Sequence, residues 1–176
     1  MIKVRNITDE EHKKELEEMI YSYYEDSIGT GWVANLPKKL KDFITTADVY
    51  TEKDIDKLYD EDEDETVERT ALGLYSDDTI IGFVCVAVFE DNVGGIFQIF
   101  VKPEYRQKFI SEFKGSMDAT KVLTESLNEY FKNRGADELI MEAPHTLSFL
   151  KELAINMEFV PVKDYYDTTE YHKQVK

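Results

Sequence analysis

Apolar and polar positions alternate from Ile2 to Ile7, with Ile2 and Val4 set against Lys3 and Arg5, and this predicts a first strand. Thr8 and Glu11 have the spacing of a capping box, and Leu16, Met19, Ile20 and Tyr23 recur at helical intervals. A helix from about Asp9 to Asp26 is expected, stopped by Ile28-Gly29-Thr30-Gly31. Pro37 opens a second, short helix carrying Leu40, Phe43 and Ile44. After a polar stretch, Thr70 to Tyr75 reads as a strand and Ser76-Asp77-Asp78 as a turn. Ile80 to Phe89 is apolar on both faces and rich in β-branched residues, as a central strand must be. Asp91 to Gly95 is expected as a hairpin turn, Ile96 to Val101 as the next strand, and Pro103 as its stop.

The segment from Glu104 to Asp118 has no clear period. Ser116 or Asp118 can cap a helix running to about Arg134, with Val122, Leu123, Leu127, Tyr130 and Phe131 on one face and Asn133-Arg134-Gly135 as its stop. A strand from Glu138 to Ala143, a helix from about His145 to Ile155 and a strand from Phe159 to Val162 follow. Residues 164–176 are expected to form a C-terminal tail. The order β-α-α-β-β-β-α-β-α-β predicts a single α/β (α+β) domain over residues 1–176. Its sheet is mixed and mostly antiparallel, with six to seven strands and helices on both faces.

Charge changes this picture locally. The chain of 176 residues carries a formal charge of −16. Residues 52–68 hold ten acidic residues against Lys53 and Lys57, a net −8, and predict a solvated acidic loop. The overall charge argues against duplex nucleic acid as a direct partner. Lys102 to Lys121 is locally basic and suits a small anion. No apolar run is long enough to span a membrane, no signal peptide is visible, and the lone Cys85 lies within an apolar strand, so a cytoplasmic setting is expected. No His/Cys/Asp/Glu set has metal-ligand spacing.

Three stretches carry a family resemblance. Ile96-Phe97-Gln98-Ile99-Phe100-Val101-Lys102-Pro103-Glu104-Tyr105-Arg106 looks like the fourth strand and V-x-P-x-Y-R exit of the GNAT superfamily of N-acetyltransferases. Asn133-Arg134-Gly135-Ala136-Asp137-Glu138-Leu139 resembles that family's helix stop and fifth strand. Phe149 to Leu153 and Phe159 to Val162 are similar to its fourth helix and final strand. The resemblance implies acetyl-CoA, or another acyl-CoA, in a gap between the fourth and fifth strands. Its pantetheine arm would lie on Ile99, Phe100 and Val101, and its pyrophosphate on the start of the central helix.

The family's loop reads Arg/Gln-x-x-Gly-x-Gly/Ala. Arg106 is followed by no such glycines; Lys114-Gly115-Ser116-Met117-Asp118-Ala119 matches better, with Met117 in place of the first glycine. Arg106, Lys114, Gly115, Ser116 and Ala119 are therefore the implied cofactor residues. Gln98 cannot act as the family's strand glutamate, and Phe149 and Leu150 bring no hydroxyl where the family often has a tyrosine. His145 and Glu142, at the end of the fifth strand, are the remaining acid–base candidates; a surface histidine and a strand-face glutamate are their plainer readings. Trp32, Tyr24 and Gln98 are candidates for the acceptor cleft. The implied activity is acyl-CoA-dependent N-acylation of a small-molecule or protein amine by direct attack on the thioester. The alternative is a catalytically inactive GNAT-fold protein that binds a basic or nucleic-acid-binding partner through residues 52–68.

Overall fold

The computed structural model describes residues 1–28, 66–89, 91–110, 116–145, 147–165 and 168–175. Among them are strands β1 (Ile2–Asn6), β2 (Thr66–Ser76), β3 (Thr79–Phe89), β4 (Val93–Val101), β5 (Glu138–Pro144), β6 (Val160–Asp164) and β7 (Thr168–Gln174). The helices are α1 (Glu10–Ile28), α2 (Gln107–Ile110), α3 (Ser116–Lys132) and α4 (Ser148–Asn156), with a 3-10 turn at Pro103–Tyr105. The expected helix at Pro37 and residues 52–65 of the acidic stretch lie outside the described residues.

The strands form one sheet in the order β1-β2-β3-β4-β5-β7-β6. All neighbours are antiparallel except β4 and β5, which are parallel. This is the mixed, mostly antiparallel sheet that the sequence predicts. Ile80 to Val88 of β3 are all buried, as an interior strand with two apolar faces requires.

Several boundaries move for physical reasons. Asp9, not Thr8, caps α1: its Oδ1 accepts hydrogen bonds from the Glu11 N–H (2.8 Å) and the His12 N–H (3.3 Å). A carboxylate also suits the positive end of the helix dipole better than a hydroxyl does. β2 starts at Thr66, because β3 runs to Phe89 and its last backbone groups pair with Thr66. Glu68, which the charge count gave to the acidic loop, therefore lies in a strand. Val93-Gly94-Gly95 belong to β4 rather than to the turn, which is made by Asp91 and Asn92, the latter with φ 63°.

α3 covers one face of the sheet with Ala119, Leu123, Leu127 and Phe131, four buried residues at i, i+4 spacing. α4 ends in a Schellman arrangement: the Phe159 N–H bonds to the Ala154 carbonyl (3.0 Å) and the Glu158 N–H to the Ile155 carbonyl (3.0 Å), with Glu158 left-handed at φ 68°. Buried Lys173 donates to the Met157 carbonyl (2.8 Å) at the same helix end.

The expected tail is instead β7, which lies between β5 and β6. Its buried positions are Thr168, Thr169, Tyr171 and Lys173. With only one aromatic and no aliphatic residue among them, the alternation from Thr169 onward escapes a hydrophobicity reading. β7 also carries His172, which had no expected partner. Its Nδ1 lies 2.7 Å from Glu138 Oε1 and its Nε2 3.0 Å from Glu170 Oε1. The hydrogen bond to Glu170 is the main cause that raises the His172 pKa; burial opposes it and Glu138 adds to it. A group raised on folding stabilises fully below its unfolded value, about 6.5. That contribution is lost as pH rises through the folded value. Urea midpoints are therefore expected to fall as pH rises above about 6.5, and His172→Gln should flatten that fall. An unchanged slope in the variant would show that another group titrates there.

Candidate active site: a gap between two strands

Parallel pairing of β4 with β5 covers only Val93↔Glu138 to Ile96↔Met141. The next residue, Phe97, is an extra one: Cys85 pairs with Gln98 and Val86 with Ile96, so β4 bulges there against β3. Beyond the bulge β4 stays on β3 as far as Val101, while β5 stays on β7 through Glu142, Ala143 and Pro144. Each strand keeps its outer neighbour and loses the inner one. The result is a V-shaped opening inside the sheet, with backbone groups of β4 along one wall.

Which backbone groups face the opening follows from alternation. The Lys102 N–H bonds to the Ile81 carbonyl of β3 (2.8 Å). In an antiparallel ladder residues two apart point the same way, so Phe100 also faces β3, and Ile99 and Val101 face the opening. Of the three residues expected along the pantetheine arm, Phe100 thus has its backbone committed to β3. Its ring stacks on Phe83 at 5.9 Å between centroids. The Val101 carbonyl accepts a hydrogen bond from Arg106 Nε at 2.8 Å. The Arg106 guanidinium lies over the rings of Phe100 (5.6 Å) and Phe149 of α4 (5.4 Å).

α3 begins at Ser116, ten residues beyond Arg106 and two beyond Lys114. The match from Lys114 to Ala119 therefore overlaps the first turn of α3, whose leading N–H groups have no partner within the helix. The match starting at Arg106 follows the 3-10 turn and overlaps α2 instead. α2 is fastened to the fold: Phe109 is buried, and its carbonyl accepts from Thr120 Oγ1 of α3 (2.6 Å) and Asn156 Nδ2 of α4 (3.3 Å). Ala119 is buried against the core. Trp32, Lys114 and Gly115 lie outside the described residues, as do the side chains of Tyr24 and Ser116.

Gln98 is 2% exposed on β4, paired with Cys85. Glu142 is exposed and stands one residue past the last β4–β5 pair, at the rim of the opening. His145 follows Pro144 and is held on the β7 side: its Nε2 is 3.0 Å from Thr169 Oγ1, which donates to Asp164 Oδ1 at 2.6 Å. The single hydroxyl proton is committed to Asp164, so Thr169 can only accept from His145. Nε2 therefore carries the proton in the neutral ring, and Nδ1 keeps its lone pair. Sequence reading missed Thr169 and Asp164 because both sit in the polar segment taken for a tail. Among the described residues no group of three or more His, Cys, Asp or Glu side chains is arranged to hold a metal ion. No described helix is long and apolar enough to cross a membrane.

A family model for the acetyltransferase (GNAT) family matches residues 32–111. No curated protein matches the chain. Among solved structures, the PaiA N-acetyltransferase of Thermoplasma acidophilum in complex with coenzyme A is similar over 99% of both chains, with a TM-score of 0.63 and 16% identity. An acetyltransferase of the GNAT family from Staphylococcus aureus Mu50 is similar over 100% of both chains (TM-score 0.60, 15% identity). The ribosomal-protein-S18-alanine N-acetyltransferase of Escherichia coli is similar over 99% of this chain and 94% of its own (TM-score 0.57, 14% identity). At these identities the likeness is one of fold. The family model thus matches residues 32–111 of this chain, and the fold is the one seen in GNAT acetyltransferases.

Proposed function

We propose that the chain is an acyl-CoA-dependent N-acyltransferase that moves an acetyl group to an amine by direct attack on the thioester. The observation that carries this reading is the opening between β4 and β5, which begins at the Phe97 bulge and leaves Ile99 and Val101 facing it. An extended pantetheine arm needs such an unpaired strand edge, and a pyrophosphate needs the N-terminus of a helix such as α3. The PaiA structure holds coenzyme A in a protein of this fold.

In this reading Ile99 and Val101 bind the arm. The N–H groups from Ser116 to Ala119 bind the phosphates, with Lys114 and Gly115, which precede them in sequence, as further contacts. The cofactor supplies an activated acyl group. The amine must lose a proton as it attacks, and the displaced thiolate must gain one. His145 Nδ1 is the base, oriented by Thr169 and Asp164, and Glu142 at the rim draws a cationic amine. Trp32, Tyr24 and Gln98 remain the proposed acceptor contacts.

Titration with acetyl-CoA tests this. Micromolar to submillimolar binding is expected, and the absence of binding at millimolar ligand would sink the proposal. Met117→Pro removes one N–H from the first turn of α3, where the leading N–H groups have no partner within the helix and proline is tolerated. It should weaken binding about 10- to 100-fold, the worth of one hydrogen bond to a charged group, with little change in the melt.

A further inference from the structure

We infer that Arg106 is a positioning residue for the pantetheine wall of the opening and not a phosphate ligand. The inference rests on the acyltransferase reading above. Three observations support it. The helix that supplies anion-binding N–H groups starts at Ser116, and the loop match that overlaps it begins at Lys114, so Arg106 is displaced from the phosphate position. Its Nε donates to the Val101 carbonyl (2.8 Å), a group that alternation turns toward the opening. Its guanidinium lies over Phe100 on β4 and Phe149 on α4, 5.6 and 5.4 Å from the ring centroids.

The geometry ties three parts together at one point: the last residue of β4, the turn that leaves it, and the first turn of α4. β4 has lost β5 as a neighbour beyond Ile96, so this end of the strand is held on its inner side by what Arg106 supplies. With the guanidinium in place, the Val101 carbonyl is held and the arm pairs with Ile99 and the Val101 N–H. A lysine cannot substitute. Its ammonium is a point charge without the planar fork that stacks on two rings while donating sideways through Nε.

Acetyl-CoA titration of Arg106→Gln and Arg106→Lys, each at several salt concentrations, separates the roles. A positioning arginine predicts that both variants bind about 10-fold more weakly, because both lose the Nε contact. It also predicts that the slope of log Kd against log salt stays at the wild-type value, because no charge–phosphate contact is lost. Phe149→Leu removes one ring and leaves the charge, and it should weaken binding a few-fold in the same direction. It also serves as the variant to read if either Arg106 substitution unfolds. Near-wild-type affinity in Arg106→Lys, together with a shallower salt slope in Arg106→Gln, would overturn the inference in favour of a phosphate ligand. Unchanged or tighter binding in both variants would overturn it as well. A wild-type chain that binds no acetyl-CoA would overturn the acyltransferase reading itself, a result distinct from either.

Discussion

Gly82→Val is expected to be among the most damaging single changes in the sheet, costing about 3 kcal/mol or more. A Cβ on Gly82 would lie 2.2 Å from the Phe100 carbonyl oxygen and 3.1 Å from Val101 Cα. Both contacts are backbone, so no rotamer change can relieve them. Relief requires β3 and β4 to separate, and that breaks ladder hydrogen bonds in a stretch where Ile80, Ile81, Phe83 and Val84 are wholly buried. Each buried backbone group left unpaired costs about 1–3 kcal/mol. The same displacement moves the wall formed by Ile99 and Val101, so acetyl-CoA affinity should fall together with the urea midpoint. Gly82→Ala carries the same Cβ and should show a smaller version of both losses. A Gly82→Ala protein with a wild-type midpoint would show that the strands do not approach this closely.

Phe131→Ala should cost about 3–5 kcal/mol, the usual range for emptying an aromatic site in a core. Phe131 is fully buried on α3, and a Cβ at Gly94 would come within 2.4 Å of its ring and 2.6 Å of Leu139. The ring thus rests directly on the β4 backbone where β4 still pairs with β5. This contact sets how deeply α3 lies on the sheet. Gly94→Ala should also destabilise, because the added methyl meets the ring. In a Phe131→Ala background the same methyl loses its clash with the ring and keeps only the one with Leu139, so its penalty should shrink. A double-mutant cycle that gives additive losses would show that the two positions do not touch.

How much of this was legible beforehand differs by element. β3, α3 and the strand-to-helix order were readable because their apolar residues keep one period over many positions: Leu123, Leu127 and Phe131 on the helix, and the unbroken run from Ile80 to Phe89. β7 was not, because Thr169, Tyr171 and Lys173 keep the period while supplying little hydrophobicity. The N-terminal half of β2 was missed for a related reason. Pairing with β3 extends the strand through Glu68 and Arg69, whose polar types give no apolar period to read. At the site, the motif around Arg106 marked the turn that leaves β4 but not the contact its side chain makes with the Val101 carbonyl. That contact depends on how the turn folds back over β4 and α4, which no local pattern encodes. Even His145, correctly expected at the end of β5, drew its orientation from Thr169 and Asp164, residues that nothing in the local pattern connects to it.

The sheet order has a consequence for how the chain is made. β6 leaves the ribosome before β7, yet β7 separates it from β5. At the moment β6 is complete it has no strand to join, and the outer edge of β5, whose seven residues from Glu138 to Pro144 will all pair with β7, is open. These two strands can enter the sheet only as a hairpin, docked after both exist. A nascent chain halted between them would expose an unpaired edge beside the very strand that forms one side of the opening. Such a chain offers a foothold for aggregation that the finished fold removes.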